Sequence, residues 1–302
     1  MTLGCAPMWT ALASPFLVPY DGSFRVAASR TRPPRRGPDG KRLEQRLAKL
    51  VADIDDLGRM LWADDRVAVL CIFQAMDAAG KDGTIRAVMT GIDPTGLEVH
   101  SFKQPSADEL DHDFLWRTAC RLPPRGRVGV FNRSYYEEVL VVRVHPELLK
   151  HQKLPWRPPG SRLWQERFAS IRDHERHLAR SGTVVLKFWL NVSRQEQRQR
   201  FLARLENPGK HWKFSERDVH ESELWDDYMH AYEEALNATS RPWAPWYAIP
   251  ADDKDFARVA VAEVLVETLR ALDLRYPEPE AAQRARFAEI RRLLQDRDRD
   301  RS

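Results

Sequence analysis

Apolar positions along the chain alternate between two spacings. Short continuous runs occur at VAVLCIF (67–73), LEVHSF (97–102), RVGVFN (127–132), TVVLKFWL (183–190) and WYAIP (246–250). The first is rich in β-branched residues and too short for a free-standing helix, so it reads as a strand buried on both faces. Between the runs the spacing becomes helical. Leu43, Leu47, Leu50, Ile54, Leu57 and Leu61 mark one helix, TIRAVMTGI from Thr84 resumes another, and Ser106 with Glu109 and Ser193 with Glu196 carry N-terminal capping signals. Strands separated by helices predict an α/β fold with a five-stranded parallel sheet and helices on both faces. Ligands in such sheets bind at the carboxyl ends of the strands.

The segment after the first strand, Ala75 to Gly83, is small, polar and glycine-bearing. It ends like the phosphate-binding loop G-x-x-x-x-G-K-[ST] but has Ala75 for the first glycine and Asp82 for the hydroxyl residue. Strand, loop and helix follow in the order such a loop requires. Backbone N–H groups from Ala79 through Thr84 and the helix N-terminus would face an anion, and Lys81 adds a mobile cation. An ordinary strand-to-helix turn with a surface lysine is the alternative.

Composition narrows the class. A chain of 302 residues, 43% hydrophobic, buries a substantial core as one globular unit with tails. Cys5, Cys71 and Cys120 lack paired spacing, which predicts a reduced, cytoplasmic thiol set and neither a disulfide frame nor a zinc site. No run reaches membrane-spanning length, and the N-terminal residues lack a basic leader pattern. The net charge of +4 comes from well-mixed charges, favouring an anionic ligand over nucleic acid.

The polar residues at the predicted strand ends suit phosphoryl transfer, which asks for cations around the equatorial oxygens and carboxylates for magnesium. Lys81, Lys103 and Arg133 are candidate cations, and Asp77 and Glu137 candidate Mg²⁺ carboxylates. Arg133 and Glu137 could equally be a surface helical pair worth ~0.3–0.5 kcal/mol. Further along, Arg194, Arg198, Arg200, Arg204, Lys210 and Lys213 form a basic segment with Phe201, Leu202 and Leu205 as apolar anchor. It reads as a lid over about residues 194–220, or as a solvated basic helix. His174 and His177 lack a third metal ligand; Trp243 and Trp246 read as packing.

Five blocks in order, FQAMDAAGKDGTIR, SFKQPSADELDHDFLWR, FNRSYYEEVLVVRVHP, LKFWLNVSRQEQRQRFLARLENPGKHWKFSERD and LWDDYMHAYEEALNATSRPWAPWYAIPADDK, resemble the polyphosphate kinase 2 family from about Phe16 to Pro277. The resemblance implies a P-loop kinase-like three-layer fold with a helical lid. It also implies an Mg²⁺-dependent enzyme moving the terminal phosphoryl group of inorganic polyphosphate to a nucleotide, and a homo-oligomer. The family carries loops of the DAAGK type, with Asp77 as functional carboxylate, leaving Asp82 as a branch feature. Asn132-Arg133-Ser134 followed by Glu137 resembles the branch that accepts both AMP and ADP, which puts Asn132 and Glu137 on the nucleotide side. Members commonly show His-Tyr-Glu-Asp where this chain has Tyr135-Tyr136-Glu137-Glu138.

In that reading Asp77, Lys81 and Arg133 are catalytic. Phosphates are held by Ala79, Gly80, Lys81, Asp82, Gly83 and Thr84 with Lys103, Arg117, Arg133, Arg198, Arg204 and Lys213. An arm (1–40), a catalytic domain (41–277) and a charged tail (278–302) make up the chain. An ATP-dependent nucleoside monophosphate kinase and a non-catalytic polyanion-binding module are the competing functions.

Overall fold

The computed structural model describes residues 8–34, 40–156, 158, 160–213 and 216–299. Helix α1 (Gly40–Asp64) leads into β1 (Ala68–Gln74), the loop and α2 (Lys81–Met89). β2 (Leu97–Ser101) is followed by two short helices, α3 (Ala107–Asp111) and α4 (Trp116–Ala119), and β3 (Val128–Asn132) by the short α5 (Val141–Val144). α6 (Arg162–Arg180) returns to β4 (Thr183–Asn191), after which come α7 (Arg194–Leu205), α8 (Glu216–Glu223) and α9 (Trp225–Thr239). β5 (Trp246–Pro250), α10 (Lys254–Arg270) and α11 (Ala281–Arg299) complete the order.

All strands pair in parallel, in the order β2-β3-β1-β4-β5. Every residue of β1 and β4 is buried, because helices cover both faces of the sheet. The chain steps from β1 outward to β2, returns to β3 and crosses to β4. Right-handed crossovers therefore put α2 on one face, where it packs with α1 and α10, and α6 and α9 on the other. The same reversal opens a crevice at the carboxyl ends of β1 and β3. Phe73 pairs with Asn132 across it, and the Arg133 N–H reaches the Phe73 carbonyl at 3.0 Å.

The strands fall where the apolar runs predict, with β1 displaced by one residue. α2 begins at Lys81 rather than Thr84, because Gly80 makes the turn in a left-handed conformation (φ 101°). The expected N-terminal arm pairs with the sheet: Phe16–Val18 lies antiparallel along β5, with Val18 N–H on the Trp246 carbonyl and Ala248 N–H on the Phe16 carbonyl. Residues 35–39 of the expected arm and 300–302 of the charged tail lie outside the described residues, as does Cys5. Cys71 is buried in β1, which pushes its thiol up to about 12. Trp246 is fully buried and Trp243 packs on the core, as expected of packing residues. No helix among the described residues is long and apolar enough to cross a membrane.

Candidate active site

Leaving β1, the loop places two residues in the left-handed region, Ala78 (φ 61°) and Gly80 (φ 101°). Glycine takes that conformation without the Cβ penalty. Thr84 N–H closes on the Gly80 carbonyl at 3.0 Å, leaving the N–H groups of Gly80, Lys81, Asp82 and Gly83 without acceptors inside α2. They form the positive end of the helix, suited to an anion. Lys81 is buried and its Nζ donates to the Ala75 carbonyl at 3.0 Å. Burial and the neighbouring Arg133 lower its pKa, an effect that an anion in the loop would reverse.

Arg133 follows β3 with φ 63°, a strained conformation for a long side chain. Its Nη2 donates to Asp77 Oδ1 at 2.9 Å and its Nη1 to Glu137 Oε2 at 3.2 Å. The Arg133–Glu137 pair is thus no surface pair: Glu137 is 14% exposed, and a second carboxylate arrives from the β1 loop. Burial raises the Glu137 pKa against the pull of Arg133 and Lys81. Between the two loops, Asn132 Nδ2 donates to Asp82 Oδ1 at 2.9 Å. Behind them Gln74 Nε2 donates to the Ser134 hydroxyl, which also accepts Tyr136 N–H.

The donor set fits Mg²⁺. That ion commonly takes one or two protein carboxylates and completes its shell with substrate phosphates and water. Asp77 and Glu137 converge on one guanidinium, and Glu137 is a carboxylate whose buried charge a divalent cation would offset. No cluster of three or more His, Cys, Asp or Glu suited to a metal occurs among the described residues, so His174 and His177 gain no third ligand. His174 instead meets the Tyr135 ring edge-on.

The remaining predicted cations divide. Lys103 is exposed at the rim of a cavity of about 360 Å³ whose lining includes Arg117, Arg133, Glu137, Asp218 and Tyr228. Arg117 lines the same cavity but is buried, with Nη1 on the Lys103 carbonyl at 2.8 Å and its guanidinium over the Phe102 ring. On α7, Arg198 is exposed, while Arg204 faces Asp218 at 3.6 Å and stacks on Phe201. Lys213 ends the turn Pro208–Lys213, and its side chain, like that of Lys210, lies outside the described residues. The apolar anchor expected from Phe201, Leu202 and Leu205 reduces to Phe201. α7 leaves the body over its last turn, so Leu202 and Leu205 are half exposed.

Two residues outside the predicted set, and Arg200 from the basic segment in an unexpected role, complete the site. Gln197 Nε2 donates to the Asp77 carbonyl at 2.9 Å. Arg200 is buried, with Nη1 on the carbonyls of Ala78 (3.1 Å) and Ala79 (2.7 Å) and Nη2 on those of Ala251 (2.7 Å) and Asp252 (3.0 Å). The start of α7 is therefore fastened to the phosphate loop. Asp218 of α8 faces into the cavity, and burial together with Asp77 raises its pKa. Its only sequence signal was a position at the end of the fourth of the five blocks.

Comparison with known proteins identifies the family. The profile of the family Polyphosphate kinase 2 (PPK2) matches residues 38–277. An ADP-polyphosphate phosphotransferase from Rhodopseudomonas palustris is 54% identical over 245 residues, covering 81% of this chain and 85% of the relative. An AMP/ADP-polyphosphate phosphotransferase from Meiothermus ruber is 46% identical over 236 residues, covering 78% and 84%. The crystal structure of polyphosphate kinase 2 from Arthrobacter aurescens TC1 superposes with a TM-score of 0.83 at 37% identity, covering 94% of this chain and 99% of that one. The chain belongs to the polyphosphate kinase 2 family.

Proposed function

We propose that this enzyme transfers the terminal phosphoryl group of inorganic polyphosphate to AMP and to ADP, with Mg²⁺ held by Asp77 and Glu137. The observation that carries the reading is Arg133 fixed between Asp77 and Glu137, within electrostatic reach of Lys81 at the end of α2. Two cations and two carboxylates from adjacent strand ends supply what an in-line transfer between phosphates requires. When bound, the metal would neutralise charge on the transferred group. Lys81 leaves the Ala75 carbonyl for a phosphate oxygen, and the N-terminal N–H groups of α2 orient the donor. Arg133 bridges the groups that meet there. The acceptor is already a phosphate oxygen of low pKa, so Asp77 has no proton to remove and acts by orientation. Arg198 and Arg204 of α7 meet the rest of the polyanion, with Lys213 assigned to it on the family resemblance alone. The names of the relatives, one for ADP and one for both nucleotides, support the acceptor class. The thiols Cys71 and Cys120 fit the reducing cytoplasm, and assembly into a homo-oligomer rests on the family resemblance.

The test is product formation with polyphosphate as sole donor. Wild type makes ADP and then ATP from AMP, whereas Lys81→Ala, still folded by circular dichroism, loses more than ~100-fold in turnover, in line with removal of a preorganised charge. A protein that needs ATP as donor is a nucleoside monophosphate kinase instead. One that binds polyphosphate without turnover is a polyanion-binding module.

A further inference from the structure

Beneath the turn that carries Glu137 lies an ion pair that the chemistry above does not use. Lys187 of β4 and Glu175 of α6 are both 0% exposed, with Nζ 2.6 Å from Oε2. The ammonium's other two donors go to the Tyr136 hydroxyl at 3.0 Å and the Thr239 carbonyl at 2.9 Å. Glu175 Oε1 accepts from both Tyr135 and Tyr136, at 2.9 and 2.8 Å. The Trp246 ring meets Tyr136 edge-on, and its Nε1 donates to the Thr239 hydroxyl.

A buried pair of this kind is a weak source of stability, since apolar side chains of similar volume commonly serve as well or better. What it supplies is direction. Consecutive side chains on an extended segment point to opposite sides. Two neighbouring phenols meet one carboxylate oxygen here because Tyr135–Glu138 is wound into a single 3₁₀ turn. That turn starts just after the strained Arg133 and carries Glu137 on its open side. So short an element has little rigidity of its own.

We propose that Glu175 and Lys187 are positioning residues of the transfer site, locking Tyr135 and Tyr136 so that Arg133 and Glu137 keep their places opposite Asp77. The role rests on the assignment of Arg133 and Glu137 to the reaction.

The experiment compares wild type with the double variant Glu175→Leu/Lys187→Met and with Tyr136→Phe. The double variant folds but melts several degrees lower, because the Tyr135 and Tyr136 hydroxyls and the Thr239 carbonyl lose buried partners. Its kcat falls at least tenfold and its half-saturating Mg²⁺ rises severalfold, while KM for polyphosphate stays within twofold. Tyr136→Phe, which keeps the ion pair, shows the same split at about threefold. A folded double variant with the kcat and Mg²⁺ dependence of wild type overturns the positioning role. If the double variant does not fold, Tyr136→Phe decides: the split supports the role, and wild-type kinetics overturn it. A wild-type control that makes no product from polyphosphate marks failure of the proposed function, distinct from either result.

Discussion

Asp82 stands where a phosphate-binding loop usually carries a hydroxyl residue, and its carboxylate lies in the first turn of α2, accepting from Asn132. Both positions favour a negative charge: the helix N-terminus stabilises it, and the neutral amide donates to it. Asn132 and Asp82 therefore form one unit joining β3 to the phosphate loop, which sequence reading treated as two separate features. Asn132→Asp would set two carboxylates at hydrogen-bond distance, where one must stay protonated or move away. The displaced charge would face AMP and ADP unequally, because their reactive oxygens differ by one phosphate along the channel. We expect Asn132→Asp to change the ratio of kcat/KM for AMP and ADP by about tenfold, or ~1.4 kcal/mol of differential transition-state stabilisation. Adding Asp82→Asn restores an amide–carboxylate pair and returns the ratio toward wild type. A ratio unmoved by the first change removes Asn132 as the determinant of acceptor choice.

Helix α7 shows at the next scale how far composition carries. Its run of arginines marked it as a polyphosphate contact, yet Arg198 and Arg200, two positions apart, face different worlds. Arg198 is exposed, whereas Arg200 is 8% exposed and binds four backbone carbonyls from the phosphate loop and the segment after β5, with its Nε on Glu196. Backbone acceptors some fifty to a hundred and twenty residues away leave no mark in sequence, so helical phase sets the two on opposite faces without saying which face is fastened. The strands were legible because burial on both faces writes continuous apolar runs. The Asp77–Arg133–Glu137 cluster was legible because strand ends gather such groups. Asp218 and Gln197 were not, because their roles depend on how α7 and α8 pack against the loop after β1. Arg200→Ala should leave buried carbonyls unpaired at ~1–3 kcal/mol, lowering the melting temperature by several degrees and cutting kcat. Arg198→Ala should leave the melting temperature unchanged and raise KM for polyphosphate. Arg200→Lys should fail to restore stability, since an ammonium lacks the planar fork. Equal thermal stability of the two alanine variants would refute the fastening of α7 to the loop.

Over the whole molecule, the family match at residues 38–277 leaves two flanks, and the structure treats them oppositely. The N-terminal flank is welded on. Val18 is fully buried, Trp9, Phe16, Leu17, Phe24 and Val26 pack on the core, and the arm pairs with the outer side of β5. Asn237 exchanges two hydrogen bonds with the Phe24 backbone, Glu233 accepts Val26 N–H, and Thr31 donates to Asp252. Most of these bonds use backbone groups, which is why its Pro- and Arg-rich sequence read only as an arm. The C-terminal flank is the reverse: α11 is a regular helix whose residues 281–295 are all exposed, including Phe287, Ile290, Leu293 and Leu294. Burying one Val or Leu side chain fully is worth ~1.5–3 kcal/mol, and the arm contributes one complete burial and several partial ones. Losing those burials would cost the fold a few kcal/mol, and each kcal/mol moves the melting temperature by ~2–4 °C at this size. A chain beginning at Gly40 should therefore melt ~10 °C lower than the full chain. It should also aggregate more readily, because the edge of β5 stands open. A chain ending at Pro277 loses no core contact and should melt within ~2 °C of the full protein with kcat within twofold. Thermal melts and turnover of the two trimmed chains decide the matter. If the first is as stable as the full protein, the arm is no part of the core; if the second is destabilised, α11 holds contacts that its exposed faces do not show.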